Sequence, residues 1–223
     1  KTPNGGPFVG PALIRVSGIA ALEREIFGPV LHMAIFRAAD LDRVIEDINA
    51  TGYGLTFGLM TRIDDRVQHV TEAVQAGNIY VNRNQIGAIV GSQPFGGEGM
   101  SGTGPKAGGP NYLPRFTRRA AQSCAEGWTR DMSAKDLRSA LDYANTRTAE
   151  RREALVMPGP TGESNRLTTH TRDAVLCLGP GAQAAAAQAH AVRKLGGIAV
   201  EATGHVPCET LRTVEGISGV LYW

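Results

Sequence analysis

VLHMAIFRAADLDRVIEDINATGYGLTFGLMTRIDDRVQHVTEAVQAGNIYVN, residues 30–82, alternates apolar runs with amphipathic stretches and so decides the fold class. VLHMAIF (30–36) reads as a strand. Asp40 is a good N-cap for DLDRVIEDINA, in which Leu41, Val44, Ile45 and Ile48 recur at i, i+3, i+4 and i+7, the apolar stripe of one helix face. LTFGLMT (55–61) is again strand-like. Asp64 then caps a predicted helix with Val67, Val70 and Val74 on one side, Gly77 closes it, and NIYVN (78–82) is the next strand. This βαβαβ alternation predicts an open α/β sheet, because parallel strands need a crossover of about this length.

The pattern changes at GAIVGSQPFGGEGMSGTGPKAGG (87–109), which has neither helical nor strand period. Loops of this length are usually functional. After a junction near 115–130, Ser133 with Asp136 three residues on resembles a capping box and predicts a helix over 133–145. A second lobe follows: a turn-rich loop MPGPTGESN (157–165), a buried strand VLCL (175–178), an alanine-rich helix over 182–195 stopped by Gly196 and Gly197, and a strand IAVEA (198–202). Within it GPGAQA (179–184) matches GxGxxA between strand and helix, and Glu201 lies 20 residues after Gly181. Two readings stand, a dinucleotide fingerprint and a plain strand-to-helix turn. Pro180 favours the second, since it removes one N–H from a loop meant to cradle pyrophosphate.

Composition narrows the function classes. Of 223 residues 28 are glycine, against a usual ~7%, but without a collagen period and beside 42% hydrophobic content, which argues for a globular chain. The net charge of +2 is too small for a general attraction to nucleic acid or anionic lipid. The cationic group Arg115, Arg118 and Arg119 reads as a solvated face. Cys124, Cys177 and Cys208 form no CxxC pair, so reduced thiols in cytoplasm are expected, with Cys177 in the core. The five histidines have no HExxH-type spacing, and no metal site is expected. The longest uncharged run, 174–192, is cut by Gly179, Pro180 and Gly181 and does not predict a membrane span. The opening KTPNGGPF has no signal-peptide pattern and no methionine, and the chain is expected to be a fragment of a longer one.

EIFGPV (25–30), YGLTFGLMT (53–61), AGNIYVNR (76–83) and PFGGEGMSGTG (94–104) occur in an order that resembles the C-terminal half of an aldehyde dehydrogenase catalytic domain. Within that superfamily, QPFGGEGMSGTGPKAGGPNYLPRF and the later PGPTGESN are similar to the glutamate semialdehyde (pyrroline-5-carboxylate) dehydrogenase portion of the proline utilization A family, in its long bifunctional form. The resemblance implies a domain part at 1–116, a junction at 117–132 and a noncatalytic Rossmann-like C-terminal lobe at 133–223. It implies NAD-dependent oxidation of L-glutamate γ-semialdehyde to L-glutamate, with FAD in an upstream proline dehydrogenase portion. The nucleophilic cysteine and the base of the family precede EIFGPV, so this chain alone is expected to be inactive. Glu25 would accept hydrogen bonds from the nicotinamide ribose, and Phe27 would pack near the nicotinamide. Gly87 and Ala88 would offer backbone N–H groups to the substrate carboxylate, and Phe95 would pack on its aliphatic chain. A homo-oligomer is implied when the protein is complete. The rival readings are an ordinary aldehyde dehydrogenase acting on another substrate and a noncatalytic structural or interaction module.

Overall fold

The computed structural model describes residues 5–117, 127–146, 154–170 and 172–222. The chain divides into two compact units, Lys1–Phe116 and Thr117–Trp223. Cys124, Arg118 and Arg119 lie outside the described residues.

In the first unit the strands are β1 (Ala12–Arg15), β2 (Val30–Met33), β3 (Tyr53–Gly54), β4 (Thr56–Leu59), β5 (Asn78–Val81) and β6 (Glu98–Gly99), with helices α1 (Leu41–Ala50) and α2 (Asp64–Ala73). β4 and β5 pair in parallel, Thr56 opposite Asn78, with α2 as the crossover. Ile45 of α1 and Val70 and Val74 from and beside α2 are buried together, packed by Leu41, Phe57 and Leu59. The helical stripes thus meet one strand face, as their periodicity requires. One expectation fails. The three predicted strands do not form one continuous sheet: β2 pairs in parallel with β1, Ala12 opposite Val30, while β4–β5 is a separate ladder. Strand–helix alternation specifies parallel crossovers but not which strands become neighbours, and the short ALIR partner lacks the periodicity that would have announced it.

Three end signals also act differently from their sequence reading. Asp40 closes a 3-10 turn, Ala38–Asp40, and makes no side-chain cap bond to α1, while Asp64 is the first residue of α2 with Ile63 before it. Gly77 lies beyond the end of α2, where Val74 is already extended. Its smallness serves another end: a Cβ at Gly77 would run into the carbonyl oxygen of Gly96.

The second unit contains α3 (Ala134–Asn145), β7 (Leu155–Met157), β8 (Asn165–Leu167), β9 (Ala174–Cys177), α4 (Gly181–Lys194), β10 (Ala199–Glu201), α5 (Cys208–Thr213) and β11 (Ile217–Leu221). β9 is central in a parallel sheet of order β10-β9-β11. On one face Leu176 and Val200 pack with Leu137 and Leu141 of α3, and on the other Cys177 packs with Ala189 and Val192 of α4. A parallel sheet covered on both sides explains the uninterrupted apolar run of β9. Trp128 and Met132, from the expected junction, pack into the first of these clusters. PGPTGESN forms the tip of an antiparallel hairpin, β7–β8, whose two flanking strands are too short to announce themselves in sequence. No helix among the described residues is long and apolar enough to cross a membrane.

Half of the expected capping box forms at α3, the N-cap bond from Ser133, while the Asp136 carboxylate meets the Ser133 hydroxyl and not its backbone N–H. The Ser133 hydroxyl oxygen accepts the Asp136 N–H at 3.1 Å, and Ser133 Oγ lies 2.7 Å from Asp136 Oδ2. Ser133→Ala should therefore destabilise the second unit by about 1 kcal/mol, whereas Asp40→Ala should cost the first unit less than half of that. Urea unfolding of the two variants checks this; equal losses would mean that Asp40 caps in solution after all.

Candidate functional site

The strand β5 delivers the chain to the glycine-rich loop. At its end Asn82 has φ 55 and its Oδ1 accepts the Thr61 N–H at 3.0 Å, so the chain turns sharply away from the ladder. Arg83 stacks over the ring of Tyr80, 5.3 Å from its centroid. Beyond this point the apex of the loop is bare: Ile86 is 90% exposed, Val90 86%, and a Cβ at Gly87 would meet nothing within 4 Å. Ala88 is half-buried beside it.

The far end of the loop is tied down at several atoms. Gln93 is buried, its N–H donates to the Ile89 carbonyl at 2.8 Å, and its Oε1 accepts the Ile89 N–H at 3.2 Å. Phe95, half-buried, exchanges both backbone hydrogen bonds with Ala107, at 3.0 and 2.8 Å. The buried Asn78 amide donates to the Pro94 carbonyl at 3.0 Å and accepts the Gly96 N–H at 3.1 Å. Lys106 completes the arrangement: its ammonium donates to the carbonyls of Gly77 at 2.5 Å and Gly96 at 2.6 Å, and lies 3.4 Å from Asn78 Oδ1. Burial pushes the Lys106 pKa below the ordinary lysine value, with the nearby Glu98 carboxylate offsetting part of that shift. Lys106 and Asn78 were not found by sequence reasoning. The available signals were a lone cation in a glycine-rich run and a polar residue opening an apolar strand.

Glu25 and Phe27 lie in the irregular segment before β2. Phe27 is 89% exposed, and Glu25 is exposed with no hydrogen bond or ion pair among the described residues. Gly28, at φ +139, turns this segment into the strand. No hydrogen bond, ion pair or ring contact joins Glu25 or Phe27 to Gly87, Ala88 or Phe95 among the described residues. A free carboxylate and an open aromatic face suit a ribose and a nicotinamide ring, respectively, as partners. A cleft of about 470 Å³ in this unit lies elsewhere, with His32, Arg37, Arg43 and Asp47 in its wall and none of the five predicted site residues.

In the second unit the first glycine of the GPGAQA turn is bonded from within. Gly179 (φ 96) and Gly181 (φ 77) adopt conformations that favour glycine, and Pro180 sits at the N-cap of α4. The fully buried Gln188 holds both backbone groups of Gly179, at 3.0 Å each, and Trp128 Nε1 donates to the Leu178 carbonyl at 2.7 Å. Glu201 faces Arg193 at 3.8 Å. A cleft of about 640 Å³ is lined by Trp128, Arg130, Ala182, Glu201 and Thr203, but the turn's own N–H at Gly179 points to Gln188. Cys177 is buried, and burial pushes its thiol up to about 11, with Arg193 opposing the shift and Glu201 adding to it. It carries no useful thiolate at neutral pH. Cys208 is exposed on the first turn of α5, with no hydrogen-bonded or ion-paired base among the described residues. No group of three or more metal-ligating side chains occurs among the described residues.

With this geometry in place, comparison with known proteins is informative. The profile of the aldehyde dehydrogenase family matches residues 1–122. The "Bifunctional protein PutA" of Rhizobium meliloti is 46% identical over 187 residues, 78% of this chain and 15% of that protein. The "1-pyrroline-5-carboxylate dehydrogenase" of Bacillus subtilis is 51% identical over 92 residues, 41% of this chain and 18% of that protein. A crystal structure of a Bradyrhizobium japonicum proline utilization A (PutA) variant superposes with a TM-score of 0.50 at 54% identity, covering 52% of this chain and 12% of that one. The chain therefore spans less than one fifth of the length of each of these relatives.

The Gln188–Gly179 pair generates a direct test. Gln188→Leu keeps the volume but leaves a buried N–H and a buried carbonyl without partners, at about 1–3 kcal/mol each. The second unit should lose about 2 kcal/mol or more in chemical denaturation. A loss under about 1 kcal/mol would mean that Gly179 readily finds other partners.

Proposed function

Because the chain belongs to the aldehyde dehydrogenase family, we propose that it supplies the substrate-carboxylate and nicotinamide-side contacts of an NAD-dependent L-glutamate γ-semialdehyde dehydrogenase, as part of a bifunctional proline-catabolic enzyme. The observation that carries this reading is the loop 84–95: Gly87 and Ala88 at its apex, with no hydrogen bond to either N–H among the described residues and open space at Gly87, on a base tied by Asn78, Lys106 and Ala107. Backbone N–H groups presented without side-chain cover approach an anion closely, and a fixed base keeps them aimed. In this reading Gly87 and Ala88 bind the α-carboxylate, and the Phe95 ring packs on the methylenes that separate it from the aldehyde.

Acceptance of a hydride from the aldehyde-derived carbon is the chemistry that bound NAD would supply. Glu25 orients it by accepting hydrogen bonds from the ribose hydroxyls, and Phe27 packs beside the ring; both roles are positional. The nucleophilic cysteine and the base come from elsewhere in the complete enzyme. No residue of this chain is assigned to FAD, which belongs to the proline-oxidising portion. The buried, unreactive Cys177 supports this division of labour.

The match to the bifunctional relative extends over 78% of the chain, well past the first unit, whereas the monofunctional relative covers 41%. That difference favours the bifunctional reading over an ordinary aldehyde dehydrogenase. The second unit is then a noncatalytic lobe, in keeping with a GPGAQA turn whose Gly179 groups are already bonded. The complete protein is proposed to be a cytoplasmic homo-oligomer.

Gly87→Val, which adds a branched side chain at the open apex, should lower kcat/KM for glutamate semialdehyde at least about tenfold in the complete enzyme while leaving propanal nearly untouched. Equal losses on both substrates would remove the carboxylate role. Glu25→Gln exchanges a charged acceptor for a neutral one, worth roughly 1.5–3 kcal/mol. Single-turnover hydride transfer should slow about tenfold or more, and an unchanged rate would take Glu25 out of the cofactor site.

A further inference from the structure

We propose that Lys106 is a positioning residue for carboxylate recognition, fixing the base of the loop 84–95 so that the N–H groups of Gly87 and Ala88 meet the substrate at one distance. The proposal rests on the carboxylate reading of that loop and deepens it.

The path from the ammonium to the apex is continuous. Lys106 donates to Gly96 and Gly77, tying the residue after Phe95 to the residue before β5. Asn78, next to Gly77, holds the groups on either side of Phe95: the Pro94 carbonyl and the Gly96 N–H. Ala107, next to Lys106, pairs both backbone groups of Phe95 itself. Gln93, one residue before Pro94, closes on Ile89, which adjoins Ala88. The links are hydrogen bonds joined by adjacent residues of the chain, so on this proposal displacement of Gly96 moves Phe95 and the apex together.

The chemistry of Lys106 also sets it apart from a surface cation. All three of its hydrogen-bonded oxygens are neutral, and burial disfavours its charge. An ammonium has three donors, and here each has an acceptor within hydrogen-bond distance. A neutral side chain of similar length fills the same space but leaves two backbone carbonyls unbridged.

Kinetics of Lys106→Met, Asn78→Asp and Gly87→Val in the complete holoenzyme, with glutamate semialdehyde and propanal as substrates, test this. Lys106→Met should raise KM for glutamate semialdehyde about tenfold, with kcat for both substrates and KM for propanal within about twofold. A purely structural lysine would instead depress both substrates alike or neither, and that result in a folded variant overturns the proposal. Should Lys106→Met fail to fold, Asn78→Asp decides: it keeps the acceptor for Gly96 but loses the donor to Pro94, and it must show the same selective rise in KM. Selective loss in Gly87→Val with none in the Lys106 or Asn78 variants refutes the positioning role alone. Non-selective loss in Gly87→Val refutes the carboxylate reading and this inference with it.

Discussion

Where β5 begins, two backbone segments approach so closely that only glycine is tolerated at Gly77, and one ammonium bridges the carbonyls of Gly77 and Gly96. The proposed carboxylate site depends on that contact. The contact sets the separation between the β4–β5 ladder and the glycine-rich loop, and it brings Asn78 within reach of both neighbours of Phe95. It also lets residues 84–91 leave the ladder with Ile86, Gly87 and Val90 exposed. Burying a lysine against neutral oxygens is costly, and burial lowers its pKa accordingly. The cost is sustained because three acceptors replace the lost water.

The second unit answers the same problem, a loop crossing the end of a parallel strand, by different means. There the backbone groups at Gly179 are met by the amide of Gln188, a side chain from the helix that the loop itself begins. The result is a strand-to-helix turn whose Gly179 groups are bonded inward. One loop is tied at its base and leaves the N–H groups of Gly87 and Ala88 without a hydrogen bond among the described residues. The other spends the Gly179 N–H on its own helix. The contrast bears on function more directly than the shared α/β architecture does, since a fold hosts many activities and the site decides among them.

Elements that follow from a local rule were legible in the sequence. The stripe containing Ile45 and the valines at 70 and 74 meet in one core, and Ser133 caps α3 through Asp136. Pairing was less legible: β1 is a four-residue strand between loops, and β3 and β6 are two-residue strands rich in glycine, so no window of sequence carries a period. The five predicted site residues came from resemblance and not from periodicity. Lys106 was missed because its acceptors at 77 and 96 are backbone carbonyls, which every residue has and no sequence pattern marks. GPGAQA was ambiguous for the complementary reason, since nothing in the string reveals that Gln188 turns back to fill it.

The central claim is that the amides of Gly87 and Ala88 receive the substrate carboxylate on a base set by Lys106. Its most direct test is a crystal structure of the complete enzyme with glutamate, the reaction product, bound. The account predicts the α-carboxylate oxygens about 2.7–3.2 Å from the N atoms of Gly87 and Ala88, with the methylenes against Phe95 and the Lys106 bridge intact. Glutamate bound with its α-carboxylate on side chains elsewhere, leaving those two amides to water, would contradict it.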